Sequence, residues 1–244
     1  MVIINIIIIV IANEGRMKLV FDIETVGFDF DTLEESQQEF ILRYADKEPD
    51  EKLKDQKRDE AIRFLSLYPL TAKVVAIGML NTETKHSMVL YEGSETEEWE
   101  SEDRDVKYCS FSEAEILEHF WQYAKKAETV ITFNGRNFDI PFIMIRSAIL
   151  KVKPTRNFLK SRYDSKSHVD LLEMLTFHGI TKKFNLDFYC KSFGIESPKS
   201  HGVSGMDVKE LYNAGKIKEI ATYCGHDVKA TYELYKIWNE YLNL

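Results

Sequence analysis

The chain has 244 residues, of which 44% are hydrophobic and 12% aromatic, and this composition supports a sizeable core within one α/β domain. Its net charge of −8 argues against binding along an extended nucleic-acid backbone, which relies on lysine and arginine to neutralise phosphates. The three cysteines, Cys109, Cys190 and Cys224, are scattered and odd in number, so they predict a reduced cytoplasmic protein with neither a disulfide framework nor a zinc site.

The N-terminal sixteen residues are unusually apolar. Residues 2–12 are almost uninterrupted isoleucine and valine, a run that is too short for a membrane span and lacks the basic flank of a signal peptide. Because Met17 directly precedes the predicted strand that carries the first acidic motif, we expect residues 1–16 to be a dispensable hydrophobic extension and residues 17–244 to form the domain. An added edge strand or a membrane-associating segment is the competing interpretation.

The segment Lys18–Thr25 is apolar and β-branched enough to form a buried strand. Side chains alternate along a strand, so Asp22 and Glu24 lie on one face and Phe21 and Ile23 on the other. Two neighbouring carboxylates at the end of a core strand repel each other and resist desolvation, so they require a cation. Ligands that are all oxygen favour Mg²⁺ or Mn²⁺ over zinc. A pair of acids at a solvated strand end is the competing interpretation, and this short motif alone does not exclude it.

A charged segment, Asp29–Arg63, follows the first strand. Its apolar residues recur in loose helical spacing, which predicts one or two surface helices that cross over the sheet, a charged insertion at about residues 29–65. Within it, residues 48–60 contain one leucine and no aromatic residue, which is typical of a solvated helix or a mobile loop. Further on, Ser112 and Glu115 have the spacing of a capping box and predict the start of a scaffold helix.

The second polar motif follows the predicted strand Thr129–Phe133. The strand breaks at Asn134, and the chain leads through Phe138 and Asp139 to Pro141, whose fixed φ suits the opening of a helix. A carboxylate at a strand-to-helix junction is commonly a helix cap. On residue chemistry alone, Asn134 is equally well a turn former and Phe138 a core residue.

The third motif lies in a predicted helix, Glu219–Thr231, that continues at helical spacing to Trp238. Residues four apart share a helix face, so Tyr223 and Asp227 can reach one site together. A tyrosine near a carboxylate on a helix is usually a packing residue. His226 points to another face, and we do not expect it to act as a catalytic base.

Taken in order, the motifs D-x-E, N-x-x-x-F-D and Y-x-x-x-D resemble those of the DEDD superfamily of 3′-to-5′ exonucleases. In the histidine branch a His lies five residues before the final Asp, where this chain has Thr222. In the tyrosine branch a Tyr lies four residues before it, where this chain has Tyr223, so the chain is similar to the tyrosine, or DEDDy, branch. Residues 68–78, 168–171 and 185–202 are similar to stand-alone relatives of the proofreading domain of family B DNA polymerases.

The resemblance implies a ribonuclease H-like α/β fold, with a mixed central β-sheet flanked by helices and the catalytic carboxylates gathered at one edge. It implies that Asp22, Glu24, Asp139 and Asp227 hold two Mg²⁺ or Mn²⁺ ions and that Tyr223 orients the attacking water. Two cations about 3.5 to 4 Å apart activate a water and stabilise the leaving 3′ oxygen. Hydrolysis of this kind releases nucleoside 5′-monophosphates one at a time.

Candidate substrate contacts are assigned from residue chemistry. Thr25, Asn134 and Phe138 are candidates for holding the terminal nucleotides, since aromatic stacking tolerates any base and polar side chains meet sugar or phosphate. Lys199 is a candidate phosphate contact, because in similar exonucleases its loop lies near the active site, and an ordinary surface lysine is the alternative. Asp170 is expected to lie beside the metal site without ligating it.

Single-stranded DNA 3′ ends are the expected substrate, because the resemblance is to a polymerase proofreading domain. A replication or repair polymerase is the expected partner, and no membrane contact is predicted. An exoribonuclease that trims RNA 3′ ends would use the same centre, and no residue of the sequence reports on contact with a 2′-hydroxyl. A non-catalytic nucleic-acid-binding or polymerase-associated module is the third interpretation, although such relics usually lose carboxylates that this chain retains.

Overall fold

The computed structural model describes residues 17–160, 166–202, 205 and 207–244. The apolar run at residues 2–12 lies outside the described residues, so the division into an extension and one domain stays a prediction. Within the described ranges, no helix combines the length and the apolar composition that crossing a membrane requires.

A mixed sheet lies at the centre of the described chain. Its strands are β1 (Lys18–Gly27), β2 (Ala72–Asn81), β3 (Ser87–Glu92), β4 (Glu98–Glu100), β5 (Val106–Phe111), β6 (Thr129–Thr132) and β7 (His168–Asp170). They follow the order β4-β5-β3-β2-β1-β6-β7. Strand β1 pairs antiparallel with β2 and parallel with β6, so the strand that carries the first acidic motif is central.

Helices cover both faces of the sheet. They are α1 (Glu35–Leu42), α2 (Glu51–Arg63), α3 (Glu113–Lys126), α4 (Asp139–Ile149), α5 (Leu171–Leu175), α6 (Leu186–Phe193), α7 (Val208–Asn213) and α8 (Ile217–Tyr241). Apolar residues of α3 and α4 form one core cluster with the sheet, and residues of α8 form another. The predicted α/β fold, a mixed sheet flanked by helices, is confirmed.

The alternation predicted for β1 sorts its side chains between these two cores. Phe21 is fully buried in the cluster with α3, where its ring centroid lies 4.9 Å from that of Phe120. Val20 lies in the cluster with α8, beside Val228. Because residues two apart share a strand face, the side chain at position 22, and the one at position 24, face the layer that contains α8.

The charged segment between β1 and β2 contains two helices, as the spacing of its apolar residues predicted. None of the residues of α2 is buried, which agrees with a solvated helix. The 3₁₀ turn Phe64–Leu67 anchors the segment to the sheet, because Leu65 is 2% exposed and the Ser66 carbonyl accepts a hydrogen bond from β1. The predicted capping box is also present, since Ser112 and Glu115 bond reciprocally at the start of α3.

A buried ion pair ties α3 to α4 and to β2. Arg146 donates to Glu113 through Nε at 2.8 Å and through Nη2 at 2.7 Å. Glu113 also accepts from the backbone N–H of Val74 at 2.9 Å, and Arg146 donates to the Pro69 carbonyl at 3.3 Å. Each polar group of this network therefore depends on the others for its hydrogen bonds.

Glu113→Ala is expected to lower the free energy of unfolding by about 3–5 kcal/mol, because it leaves a buried guanidinium and a buried amide unpaired. Urea denaturation measures this loss. The matched control is Glu113→Leu combined with Arg146→Met, which removes both charges and is expected to recover part of the loss. A single variant that unfolds at the same urea concentration as the unsubstituted protein would contradict the role of the pair.

Candidate active site

The first acidic pair lies towards the C-terminal end of β1. Glu24 is 7% exposed and Asp22 is half-buried, on the face that α8 covers. The pairing register with β2 shifts between Glu24 and Thr25, an irregularity of the bulge type. Bulges bend a strand and re-aim its side chains, and here the bend follows directly after the two carboxylates.

Asp139 reaches the same place from the opposite helical layer. Strand β6 pairs with β1 at Lys18–Val20, and beyond this range the chain leaves β1. The backbone N–H of Ile23 is therefore available, and it donates to Asp139 Oδ1 at 3.1 Å. Asp139 is 3% exposed and is the first residue of α4, whereas Phe138 occupies the cap position. This carboxylate is therefore not an ordinary helix cap, because it accepts a hydrogen bond from the central strand.

Helix α8 supplies Tyr223 and Asp227, one turn apart, and the Tyr223 hydroxyl is near enough to Asp227 to oppose the rise in the pKa of that carboxyl caused by burial. The helix approaches β2 closely at Gly78, which pairs with Asp22 in the strand register. A Cβ atom on Gly78 would lie 2.7 Å from Val228 Cγ2, a distance that side chains do not tolerate. The glycine therefore lets α8 bring its tyrosine and carboxylate up to β1.

Burial raises the pKa values of all four carboxyl groups, and neighbouring carboxylates add to the rise for Asp22, Glu24 and Asp139. Burial, followed by the charges of Asp139, Asp227 and Glu24, holds the pKa of Asp22 well above its usual range. Burial, followed by Asp227 and Asp139, does the same to the pKa of Glu24. Burial raises the pKa of Asp139 and that of Asp227 to about 7. Four crowded carboxyls can all ionise at neutral pH only with a cation among them.

A thiol lies beside the carboxylates, but it does not change the preference of the site for metals that bind oxygen. Cys224 is fully buried, its Sγ donates to the Asp22 carbonyl at 3.6 Å, and one ligand atom each of Asp22, Glu24 and Cys224 lie within 4.8 Å of one another. Burial raises the pKa of the Cys224 thiol well above its usual range, so it stays protonated and is a poor metal ligand. The remaining donors are all oxygen, a set that fits Mg²⁺ or Mn²⁺.

A cavity of about 180 Å³ opens beside the carboxylates. Its lining residues come from β1, the end of β6, the start of α6, the segment after α6, and α8: Asp22, Phe133, Asn185, Leu186, Asp187, Pro198, Lys199, Tyr223 and Asp227. The ammonium group of Lys199 is near enough to Asp227 to oppose the rise in the pKa of that carboxyl caused by burial. Lys199 therefore lies beside the acidic cluster, and its contact with phosphate stays a prediction.

The three other predicted substrate residues have partners within the protein. The Thr25 hydroxyl donates to the Ser66 carbonyl at 2.7 Å. Asn134 Oδ1 accepts from Asn137 Nδ2 at 3.0 Å, and the half-buried Phe138 packs against the core beneath α4. None of the three is among the described residues that line the cavity. Their contacts with substrate stay predictions.

Asp170 organises the turn between β6 and α4. Its carboxylate accepts from the backbone N–H groups of Asn134 and Arg136, each at 2.9 Å, and it also caps α5. Asn134 has a φ of 65°, so the turn needs such fixed bonds to hold a conformation that side chains disfavour. Because backbone donors occupy its oxygens, Asp170 positions the segment that leads to Asp139, in line with its predicted place beside the cluster.

Several lining residues were not assigned to the site from sequence. The Asn185 side chain accepts from the Phe188 N–H and caps α6, a local signal that the sequence contains. That signal places the start of a helix, but it does not say that the helix faces Asp22. Phe133 gives no separate signal, because an aromatic residue at the end of a strand is ordinary core material.

A family model described as a predicted 3′-5′ exonuclease related to the exonuclease domain of PolB matches residues 64–241, well over half of the chain. The chain belongs to this family of predicted exonucleases. The matched range contains Asp139, Tyr223 and Asp227, and it begins after the strand that carries Asp22 and Glu24.

One relative of this chain and one structural neighbour are archaeal DNA polymerases. A DNA polymerase of Pyrococcus glycovorans is 27% identical over 163 residues, which are 59% of this chain and 20% of the polymerase. The structure of a family B DNA polymerase from the hyperthermophilic archaeon Pyrobaculum calidifontis matches 92% of this chain and 25% of its own, with a TM-score of 0.58 and 18% identity. The chain thus spans a fifth to a quarter of these polymerases, and the structural match supports the ribonuclease H-like fold.

Proposed function

We propose that this chain is a metal-dependent 3′-to-5′ exonuclease of the tyrosine branch. Its substrates are single-stranded DNA 3′ ends, and its products are nucleoside 5′-monophosphates. The observation that carries the proposal is the clustering of Asp22, Glu24, Asp139 and Asp227, close enough to influence one another's charges, beside a cavity that Asp22, Tyr223 and Asp227 line. Membership of the PolB-related family supports the exonuclease class independently of the site.

Asp22, Glu24, Asp139 and Asp227 would hold two divalent ions, Mg²⁺ or Mn²⁺. Ions bound there supply activation of a water and stabilisation of the leaving 3′ oxygen. The raised pKa of each carboxyl supports this assignment, because a nearby cation would stabilise the ionised form that burial disfavours. Lys199 adds one positive charge at the rim of the cavity, where it can contact a phosphate oxygen.

Tyr223 acts as a neutral hydroxyl in this proposal. Burial, followed by the charges of Asp227, Glu24 and Asp22, raises the pKa of Tyr223 far above its usual range, so the group keeps its proton. The hydroxyl can donate to the nearby Asp227 and accept a hydrogen bond from a water bound beside it. It therefore orients the attacking water and does not serve as the base.

Tyr223→Phe is expected to lower kcat about 100-fold with little change in KM, because a misplaced water reacts slowly while substrate contacts remain. Release of mononucleotide from 3′-labelled single-stranded DNA measures the rate. Tyr235→Phe is the matched control, since that hydroxyl lies on the same helix and accepts from Lys18 Nζ at 2.7 Å. An unchanged kcat in Tyr223→Phe would return Tyr223 to a packing role and remove the reason for the tyrosine branch.

The whole proposal is tested by digesting 3′-labelled and 5′-labelled oligonucleotides of DNA and RNA with Mg²⁺, with Mn²⁺ and with chelator. Metal-dependent release of mononucleotides from the 3′ end is the expected result. No cleavage of any substrate with either metal would favour a non-catalytic nucleic-acid-binding module.

An RNA-trimming exoribonuclease is the second candidate function, because it would use the same carboxylates. DNA is preferred as the substrate, since the relative and the structural neighbour named above are both DNA polymerases. The same likeness is the reason to propose a replication or repair polymerase as a partner. The relative rates on DNA and RNA oligonucleotides of one sequence decide between the two substrates.

A further inference from the structure

A row of aromatic rings leads from the cavity to the surface of α6. Phe133 lines the cavity, and its ring centroid lies 5.8 Å from that of Tyr189. Tyr189 lies 6.3 Å from Phe184, and Phe184 stacks on Phe188 at 4.3 Å with an interplanar angle of 13°. We call Phe133, Tyr189, Phe184 and Phe188 the aromatic ladder. Each ring touches the next, so the ladder is continuous from the carboxylates outward.

The outer end of the ladder is open to solvent. Phe188 is 51% exposed and Phe184 is half-buried, although they stack on each other. Cys190 is the one residue of α6 that is buried, so core packing does not explain the phenylalanines at this surface. Single exposed apolar residues are common, but a contiguous row that borders a polar cleft marks an interaction surface.

Positive charge accompanies the ladder in a chain whose net charge is −8. Lys182 Nζ lies 5.3 Å from the ring centroid of Phe184, and Lys199 lines the cavity at the inner end. The stretch from residue 182 to residue 199 contains four lysines and two acidic residues. The ladder therefore offers flat aromatic faces beside cations, which is the combination that proteins use to hold single-stranded nucleic acid.

We propose that the aromatic ladder and Lys182 bind the unpaired strand upstream of the 3′-terminal nucleotide. Bases stack on Phe188 and Phe184, and Lys182 contacts a backbone phosphate. This inference rests on the proposed exonuclease function and defines its substrate as an end that is unpaired for several nucleotides, because a base within a duplex has no free face. Every base has a π-face, so the ladder carries no sequence preference.

Binding is measured apart from catalysis, with the full chain, chelator and a labelled single-stranded dodecanucleotide followed by fluorescence anisotropy. Phe188→Ala is expected to weaken binding about ten-fold, the effect of losing one base stack. Phe188→Leu keeps an apolar side chain without a π-face and is expected to weaken binding too, whereas Phe188→Tyr retains it. Phe40→Ala is the matched control, because Phe40 is 63% exposed on α1 and also carries a cation, Arg43, 3.5 Å from its ring centroid.

Hydrolysis of two substrate lengths separates the ladder from the active centre. For Phe188→Ala, KM for the dodecanucleotide is expected to rise about ten-fold, while hydrolysis of a dinucleotide held in the cavity is unchanged. Equal losses on both lengths would overturn the proposal and assign Phe188 a structural role. If the unsubstituted protein hydrolyses neither length, the exonuclease function fails, and the binding experiment still tests the ladder.

Two binding results would overturn the ladder. One is equal affinity for blunt duplex and for single-stranded DNA. The other is unchanged affinity of Phe188→Ala for the dodecanucleotide. If this variant also sediments more slowly than the unsubstituted protein at high protein concentration, the ladder is a contact between copies of this chain. Loss of affinity in Phe188→Ala and Phe188→Leu, with affinity kept in Phe40→Ala, supports it.

Discussion

Replacing Asp22 with asparagine is expected to lower the rate of 3′-end hydrolysis about 1000-fold or more, and also to raise the melting temperature of the metal-free protein. The amide keeps the shape of the side chain and loses the charge that would hold a cation. It also removes a carboxyl whose pKa is raised by burial and by the charges of Asp139, Asp227 and Glu24. Single-turnover digestion and thermal denaturation in chelator measure the two effects.

A matched control separates the centre from general changes in charge. Asp59→Asn removes an exposed carboxylate from α2 and is expected to leave both the rate and the melting temperature unchanged. Added Mg²⁺ or Mn²⁺ is expected to raise the melting temperature of the unsubstituted protein and of Asp59→Asn, but to have a much smaller effect on Asp22→Asn. A rate retained by Asp22→Asn would exclude Asp22 from the metal centre.

The second large effect concerns how stability depends on pH: bound metal is expected to reverse the direction of this dependence. Burial raises the pKa of Asp139 and of Asp227 from 3.8 to about 7, so the folded protein holds these protons more tightly than the unfolded chain. Their contribution to stability is fully present below about pH 4 and is lost as the pH rises through about 7. Each group accounts for roughly 4 kcal/mol, and the two are not additive because they interact.

In chelator, the urea midpoint is therefore expected to fall as the pH rises from weakly acidic to weakly alkaline. With saturating Mg²⁺ or Mn²⁺ it is expected to rise over the same range, because the metal binds the deprotonated carboxylates. Asp139→Asn combined with Asp227→Asn should flatten both curves. A midpoint in chelator that is independent of pH for the unsubstituted protein would mean that these carboxyls are not crowded together.

Sequence patterns predicted those parts of the molecule whose physics is local. The alternation of β1 needs only the identities of successive residues, and it correctly placed Phe21 and Ile23 on one face, where both lie in the same core cluster. The capping box at Ser112 and the one-turn spacing of Tyr223 and Asp227 depend on residues three or four apart. Each of these features could be recognised without knowing what lies across the sheet.

Contacts between distant segments could not be predicted in the same way. The bond from Ile23 N–H to Asp139 joins residues 116 positions apart and exists because β6 leaves β1 early. The thiol of Cys224 gave no pattern in sequence, yet it lies beside Asp22. Thr25 was assigned to substrate by its chemistry alone, whereas its hydroxyl has an intramolecular partner that only the folded chain reveals.

Because α8 must dock closely at Gly78, the acidic cluster is completed late during synthesis on the ribosome. Strand β1 leaves the ribosome early with Asp22 and Glu24, but α8, which carries Asp227, is the last helix of the described chain to emerge. A nascent polypeptide therefore holds only part of the acidic cluster. On the proposed chemistry, it is inactive towards a nucleic-acid 3′ end until α8 has been synthesised and has docked against the glycine.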